Sequence, residues 1–333
     1  MSEPLIDILM ATYNGELFVA EQIESIQHQT YTNWRLLISD DCSTDKTLDI
    51  VHRYAMQDAR IEIVSEGVKY GGAKENFISL MAIAEAPYCM FCDQDDVWRP
   101  NKIEVELKTL LENENIFGCN CPLMVHSDLE LIDGAGISLN SRMSETLSID
   151  PNTASPLQLF LSGVATGCTI GVNRACIKKA LKCSDIEDVI MHDWWIALVA
   201  ETLGNRVFIQ SPLVLYRQHS GNAIGASTFS LKSSARNYID EFKNCGVSGL
   251  VTRIVDCEKR RIVQARAFLD TYERDLDLDS RHQLEILVGL PYFSLFRRLF
   301  VVGRYGLWRS GLRRKLKQFV SLCLIGWQYK CLE

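Results

Sequence analysis

Tyr88-Cys89-Met90-Phe91-Cys92-Asp93-Gln94-Asp95-Asp96-Val97-Trp98-Arg99-Pro100 is the stretch that decides how this chain reads. An apolar run of strand length ends in three acids within four residues, and Pro100 then opens a helical pattern over residues 101–114. Carboxylates at the carboxyl end of a strand sit where open α/β sheets bind ligands. Packed this closely, the acids repel one another unless a hard, oxygen-coordinated divalent cation neutralises them. Such a cation commonly partners substrate phosphates, which points to a diphosphate-bearing substrate. One Asp alone would read more simply as an acidic helix N-terminus favoured by the helix dipole. Asp-x-Asp-Asp directly after an apolar strand favours the metal.

Upstream, residues 5–12 form an apolar run of buried-strand type, broken by Tyr13-Asn14-Gly15. Apolar residues at Leu17, Ala20, Ile23 and Ile26 have helical spacing. A second strand at 34–39 ends in Asp40-Asp41-Cys42-Ser43-Thr44-Asp45, where Ser43 or Thr44 can cap a helix over 46–55. A third strand at 61–65, then Gly71-Gly72-Ala73 and a helix with Phe77, Leu80, Met81 and Ala84, lead to the fourth strand at 88–92. This alternation predicts an α/β fold with a mostly parallel central sheet. The loops holding Tyr13, Asp40 and Asp93 all leave carboxyl ends of strands, so they should converge on one crevice. Neither GxxxxGK[ST] nor GxGxxG occurs, so phosphates must be held mainly by a metal.

Downstream the alternation weakens. The pattern predicts a strand at 117–126, a hairpin turn at Asp133-Gly134, an exposed polar loop at 138–156 and a short helix at 158–161. A strand at 166–172, a helix at 193–203 and two short strands at 207–210 and 214–218 follow. From Ser230 onward the pattern is helical.

The formal net charge is −7, but residues 283–333 carry nine Lys/Arg against two Glu, so the rest sums to −14. A globally basic nucleic-acid binder is excluded by that balance. The basic end interleaves arginines with aromatics (Tyr292, Phe296, Arg297, Phe300, Arg304, Trp308, Arg309, Arg313, Arg314, Lys317, Trp327), a pattern of interfacial membrane anchors. A basic helical appendage packed on an acidic domain is the alternative. Twelve scattered cysteines lack zinc spacing and read as reduced, cytosolic thiols. No signal peptide is expected in the sequence as it begins, and the longest uncharged runs fall short of a membrane span.

Seven motifs in order now carry a resemblance: Ala11-Thr12-Tyr13-Asn14-Gly15, Gln29-Thr30-Tyr31, Ser39-Asp40-Asp41-Cys42-Ser43-Thr44-Asp45, Asp93-Gln94-Asp95-Asp96, Thr166-Gly167-Cys168-Thr169, His192-Asp193-Trp194-Trp195 and Tyr216-Arg217-Gln218-His219. From Ile6 to about Ala226 the chain resembles glycosyltransferase family 2, the inverting enzymes of GT-A fold, and especially the bacterial rhamnosyltransferase-like branch. The resemblance implies a GT-A domain over residues 1–226, with a nucleotide-sugar half (1–115) and an acceptor half (116–226). A helical region over 227–333 follows, with its basic amphipathic tail at 283–333.

By position, the resemblance implies that Thr12, Tyr13 and Asp40 meet the nucleotide and that Lys74 and Asn76 lie near the nucleotide or diphosphate. Asp93, Asp95 and Asp96 match the family's DXD region and would hold Mn²⁺ or Mg²⁺, with His219 a further candidate ligand. Thr166, Gly167, Trp194 and Trp195 would line the acceptor side. Asp193 is the expected general base, a role an inverting transfer needs once. The implied partners are a dTDP- or UDP-sugar donor, a lipid-linked saccharide acceptor and the membrane surface at the cytoplasmic face, with no nucleic acid. Two rivals differ in class. A metal-dependent nucleotidyltransferase should carry a glycine- and arginine-rich first loop, which Tyr13-Asn14-Gly15-Glu16 is not; a non-catalytic sugar binder would not need intact acids at 93, 95, 96 and 193.

Overall fold

The computed structural model describes residues 3–145, 147, 150–183, 185–219, 231–308, 315 and 318–324. Its elements run β1 (Ile6–Thr12), α1 (Val19–Gln27), β2 (Trp34–Asp40), α2 (Thr47–Gln57), β3 (Ile61–Ser65), α3 (Ala73–Ile83), β4 (Tyr88–Asp93), β5 (Val97–Trp98) and α4 (Lys102–Phe117). Then follow β6 (Leu123–Ile132), β7 (Ser138–Arg142), α5 (Pro156–Leu161), β8 (Ile170–Asn173), α6 (Arg174–Ala180), α7 (His192–Leu203) and β9 (Asn205–Arg217). Three further helices follow: α8 (Leu231–Tyr272), kinked at Gly246, α9 (Leu278–Gly289) and α10 (Leu295–Arg304).

One sheet has the order β3-β2-β1-β4-β8-β6-β9-β5, with β7 paired to β6. Its first four strands are parallel, and β8 runs antiparallel to both β4 and β6. Ile6, Ile8, Leu9 and Met10 of β1 and Cys89 to Cys92 of β4 are fully buried on both strand faces. Continuous apolar runs are what a parallel strand covered on two sides needs, each such side chain contributing about 1.5–3 kcal/mol for the larger ones. Register then places the chemistry: Thr12 lies beside Asp40, and Ala11 beside Asp93. Three loops therefore leave the sheet side by side.

The chain divides into two compact units. Residues 1–145, 165–182 and 191–218 form the first, which holds the whole sheet; residues 146–164, 183–190 and 219–333 form the second. In the second unit α5, started by a Ser155/Gln158 capping box, sets Phe160 edge-on against Phe268 of α8 with ring centroids 5.1 Å apart. The second unit thus takes residues 219–333 together with two segments from mid-chain, 146–164 and 183–190.

Several local expectations change. The 117–126 strand begins only at Leu123, because α4 continues to Phe117 and stops at Gly118, whose φ of 85° suits glycine. Part of the expected 138–156 loop is β7, which pairs with β6 across the Asp133–Ile137 turn. Residues 167–169 form a 3-10 turn before β8, since the Thr169 amide and hydroxyl both donate to the Thr166 carbonyl. The two short strands after 205 are one strand, β9, whose register against β6 shifts around Ser127 and Asp128. Neither Ser43 nor Thr44 caps α2; the Asp45 and Glu16 carboxylates accept its first amides, those of Thr47 and Lys46. Helix α6 was not anticipated, and Asn173 starts it by accepting from the Cys176 amide at 3.0 Å. Of the basic tail, Arg309, Arg313, Arg314, Lys317 and Trp327 lie outside the described residues.

Candidate active site

The loops after β1 and β2 are laced together. Asn14 and Cys42 both take positive φ, and their neighbours exchange short polar bonds: the Asn14 amide donates to Ser43 Oγ at 2.9 Å, the Gly15 amide to Thr47 Oγ1 at 2.8 Å, and the Thr44 amide to Asn14 Oδ1 at 2.8 Å. Asp40 is fully buried and accepts from Thr12 Oγ1 at 2.8 Å, from Ser43 Oγ at 2.6 Å and from the Ser43 amide at 2.7 Å. Asp40 and the equally buried Thr12 thus brace the loop, with Asp40 Oδ2 taking two of these bonds and Oδ1 one. Asp41 binds the Gly71 amide at 3.0 Å and also the Tyr70 amide, tying in the glycine turn before α3. Asn76 is likewise internal: its Nδ2 donates to the Ser39 carbonyl at 3.0 Å. Tyr13, in contrast, is 56% exposed, and Lys74 sits at the mouth of α3 with Nζ 3.1 Å from Glu75.

The acid loop after β4 is pinned from two directions. Gln94 exchanges two bonds with the backbone of Tyr13, each 2.9 Å. A β-carbon at Gly15 would come within 2.3 Å of Gln94 Oε1, so a larger residue there would have to displace the Gln94 side chain from Tyr13. On the other side Arg217, at the end of β9, reaches four elements. Its amide donates to Asp96 Oδ1 at 3.0 Å and its Nε to the Asp95 carbonyl at 2.9 Å. Its Nη1 donates to the Gly134 carbonyl at 3.2 Å and its Nη2 to Glu21 of α1 at 2.6 Å, while the guanidinium carbon lies 4.8 Å from the Phe18 ring centre. Sequence reading placed Arg217 in a motif without a role. What betrays it is an arginine at a strand end opposite a run of acids.

Asp93, Asp96 and the Cys168 sulfur bring ligand-capable atoms within 4.8 Å of one another. Burial pushes Asp93 up to about 7, helped by the charges of Asp95 and Asp193, and raises Asp96 as well through burial and its acid neighbours. The Cys168 sulfur lies beside both carboxylates, and burial holds its thiol protonated. Asp193, in the first turn of α7, is close enough to raise Asp93 by charge. Burial lifts Asp193 itself to about 6, against the amides of Trp194 at 2.6 Å and Gly167 at 3.1 Å that steady its two oxygens. Gly167 is thus brought to Asp193, with Thr166 adjoining and Trp194 half-buried beside it. Trp195 points inward, its Nε1 donating to the Ala180 carbonyl at 3.1 Å, and serves the core rather than an acceptor surface. His219 is half-buried and falls just past β9, in the second unit.

The model of glycosyl transferase family 2 matches residues 7–182. The chain belongs to that family. RfbG of Shigella flexneri, named a dTDP-rhamnosyl transferase, is 31% identical over 230 residues, which cover 66% of this chain and 74% of RfbG. WfgD of Escherichia coli, named a UDP-Glc:alpha-D-GlcNAc-diphosphoundecaprenol beta-1,3-glucosyltransferase, is 34% identical over 117 residues, covering 35% of this chain and 45% of WfgD. Residues 1–349 of TarS from S. aureus, solved with UDP-GlcNAc, align with a TM-score of 0.56 at 13% identity, covering 98% of this chain and 92% of that one. That likeness is one of fold. The protein is a glycosyltransferase of GT-A fold, similar to rhamnosyltransferases.

Enzymes of this kind typically depend on a divalent cation, and the acids here fit one. Asp96 Oδ2 is buried with no hydrogen-bond partner, an arrangement costly for a carboxylate unless a ligand completes it. Two hard oxygen donors suit Mg²⁺ or Mn²⁺; a protonated thiol does not, so Cys168 is left out of the ligand set.

Proposed function

We propose that this glycosyltransferase moves a sugar with inversion onto a saccharide acceptor in bacterial surface polysaccharide synthesis. L-rhamnose from dTDP-L-rhamnose is the donor favoured by the likeness to RfbG, with a hexose from a UDP-sugar the second choice. The acceptor is a lipid-linked saccharide presented at the cytoplasmic face of the membrane. The observation that carries the reading is that Asp193 takes the Gly167 amide at 3.1 Å, one residue from Cys168, whose sulfur lies within 4.8 Å of Asp93 and Asp96 oxygens.

In this reading the acceptor hydroxyl attacks the anomeric carbon from the face opposite the leaving group, and the bond from that carbon to the phosphate oxygen breaks. Asp193 takes the hydroxyl proton as attack proceeds; a carboxylate raised to about 6 is ionised at neutral pH yet more basic than an ordinary Asp. The Gly167 and Trp194 amides hold its oxygens in place for that transfer. Asp93 and Asp96, with Asp95 adjoining, are the residues that would hold Mn²⁺ or Mg²⁺, which when bound supplies Lewis-acid stabilisation to the departing nucleoside diphosphate. Tyr13 offers an exposed ring and hydroxyl to the nucleotide, and Lys74 a point charge to phosphate. Thr166, Gly167 and Trp194 line the acceptor side.

The test is a panel of nucleotide-sugars screened by thermal shift with and without Mn²⁺. A true donor at about a hundred times its Kd stabilises by about 2.7 kcal/mol, enough for a clear shift. Failure of every dTDP- and UDP-sugar to raise the melting temperature in Mn²⁺ would remove the assignment.

A further inference from the structure

Helix α10 is apolar on both sides, which a helix packed on one face does not need. Its inner side is fastened by Arg298, which is buried and donates to the carbonyls of Leu290 at 2.9 Å, Pro291 at 2.8 Å and Leu322 at 2.6 Å. Val301 and Val302 are buried on the same side, and Ser294 caps the first turn through the Arg297 amide. The outer side carries Phe296, 87% exposed, and Phe300, 70% exposed, one helical turn apart, with Arg304 continuing the line. Tyr292 is 66% exposed just before the helix, and Arg297 lies beside this line with its guanidinium 3.9 Å from the Phe293 ring centre.

The sequence decides what such a face meets. From residue 286 to residue 332 there is no Asp or Glu, while nine Lys/Arg occur. The exposed Arg297 and Arg304 therefore have no acid between residues 286 and 332 to neutralise them, and an anionic surface complements them. An apolar ridge flanked by cations, on a helix of about 15 Å, is too short to cross a bilayer and suited to lie in its interface. No helix among the described residues is long and apolar enough to cross a membrane.

We infer that the Phe296–Phe300 ridge with Arg297 and Arg304 docks this protein onto an anionic phospholipid surface, the two phenyl rings entering the headgroup–acyl boundary. The inference deepens the reading of a lipid-linked acceptor and rests on it for its purpose, though not for its test.

The full-length chain is mixed with phosphatidylcholine vesicles, with and without phosphatidylglycerol, and sedimented. Wild type is expected to pellet with the phosphatidylglycerol vesicles and to be released by salt. Each arginine near an anionic surface is worth about a fivefold change in affinity, so the Arg297→Gln/Arg304→Gln pair should lose about thirtyfold. The Phe296→Ser/Phe300→Ser pair should lose at least about tenfold at every salt concentration. Unchanged thermal melts of both pairs, and unchanged donor-induced shifts, show that neither loss comes from unfolding. Wild type left in the supernatant with anionic vesicles overturns the inference, as does a phenylalanine pair that pellets like wild type. Sedimentation velocity gives the remaining outcome: a wild-type dimer that the phenylalanine pair abolishes would make this face a contact between two copies instead. Because pelleting needs no sugar transfer, its failure leaves the enzymatic reading intact, and failure of the donor screen leaves this one standing.

Discussion

Replacing Arg217 by Met should separate the acid loop from its brace while keeping much of the buried volume. The side chain gives up its bonds to the Asp95 and Gly134 carbonyls, its ion pair with Glu21 and its place on the Phe18 ring. Each stranded carbonyl costs about 1 kcal/mol and the ring contact about 0.5–1 kcal/mol. The ion pair adds little, because the Glu21 side chain is 56% exposed and water replaces its partner. The sum is about 3 kcal/mol, or roughly 6–12 °C of melting temperature for a unit of this size. The Arg217 amide still donates to Asp96, so the loop is loosened at Asp95 and not freed. One neutral hydrogen bond's worth of lost preorganisation, about 1.4 kcal/mol, predicts about tenfold weaker binding of Mn²⁺ and nucleotide. Thermal melts of wild type and variant, with and without Mn²⁺ and the donor, measure both effects at once. Arg217→Lys should recover little, since an ammonium cannot span the carbonyls and carboxylate that the planar fork reaches. If the variant melts lower but its ligand-induced shift matches wild type, Arg217 is a structural strut alone and the positioning argument is wrong.

Asp193→Asn should keep donor binding and lose transfer by about 10²–10⁴-fold, the range of a general base, measured as nucleotide release with acceptor present; unaltered turnover would remove Asp193 from that role. The two raised carboxyls also set a pH dependence. An Asp whose folded pKa is lifted is stabilised as the neutral acid, so its contribution to stability is complete below the ordinary carboxylate range and lost as pH rises through about 6 for Asp193 and about 7 for Asp93. A cation replaces the missing protons at Asp93 and Asp96. The rise in melting temperature on exchanging EDTA for Mn²⁺ should therefore be small near about pH 5.5 and large near about pH 8. A rise that is equal at both would show that the acids do not take up the ion. Over the same range kcat/KM should fall as pH drops below about 6, where Asp193 becomes protonated.

The parts legible in the sequence are those whose signal is local. Apolar runs gave β1, β2 and β4 within a residue, and the register of parallel strands then carried Tyr13, Asp40 and Asp93 to neighbouring loops without any further information. The burial of Asp40, Asn76 and Trp195 was not legible, because a carboxylate, an amide and an indole look alike in sequence whether they meet a ligand or a backbone carbonyl. Only the partners Ser43, Ser39 and Ala180 decide it. Arg217 marks the same limit from the other side. Its four targets lie at positions 21, 95, 96 and 134, so no window of sequence contains the clamp, even though the motif around it was in plain view. Glu21 sits on α1, the first helix, and Arg217 ends β9, the last strand of the sheet. The acid loop therefore draws its Arg217-side contacts from both ends of this unit, beside the Gln94 bonds to Tyr13. Because the Glu21 side chain is exposed and its ion pair adds little, Glu21→Gln should leave the ligand-induced shifts of the acid loop near wild type, whereas loss of the Arg217 bond to the Asp95 carbonyl should not.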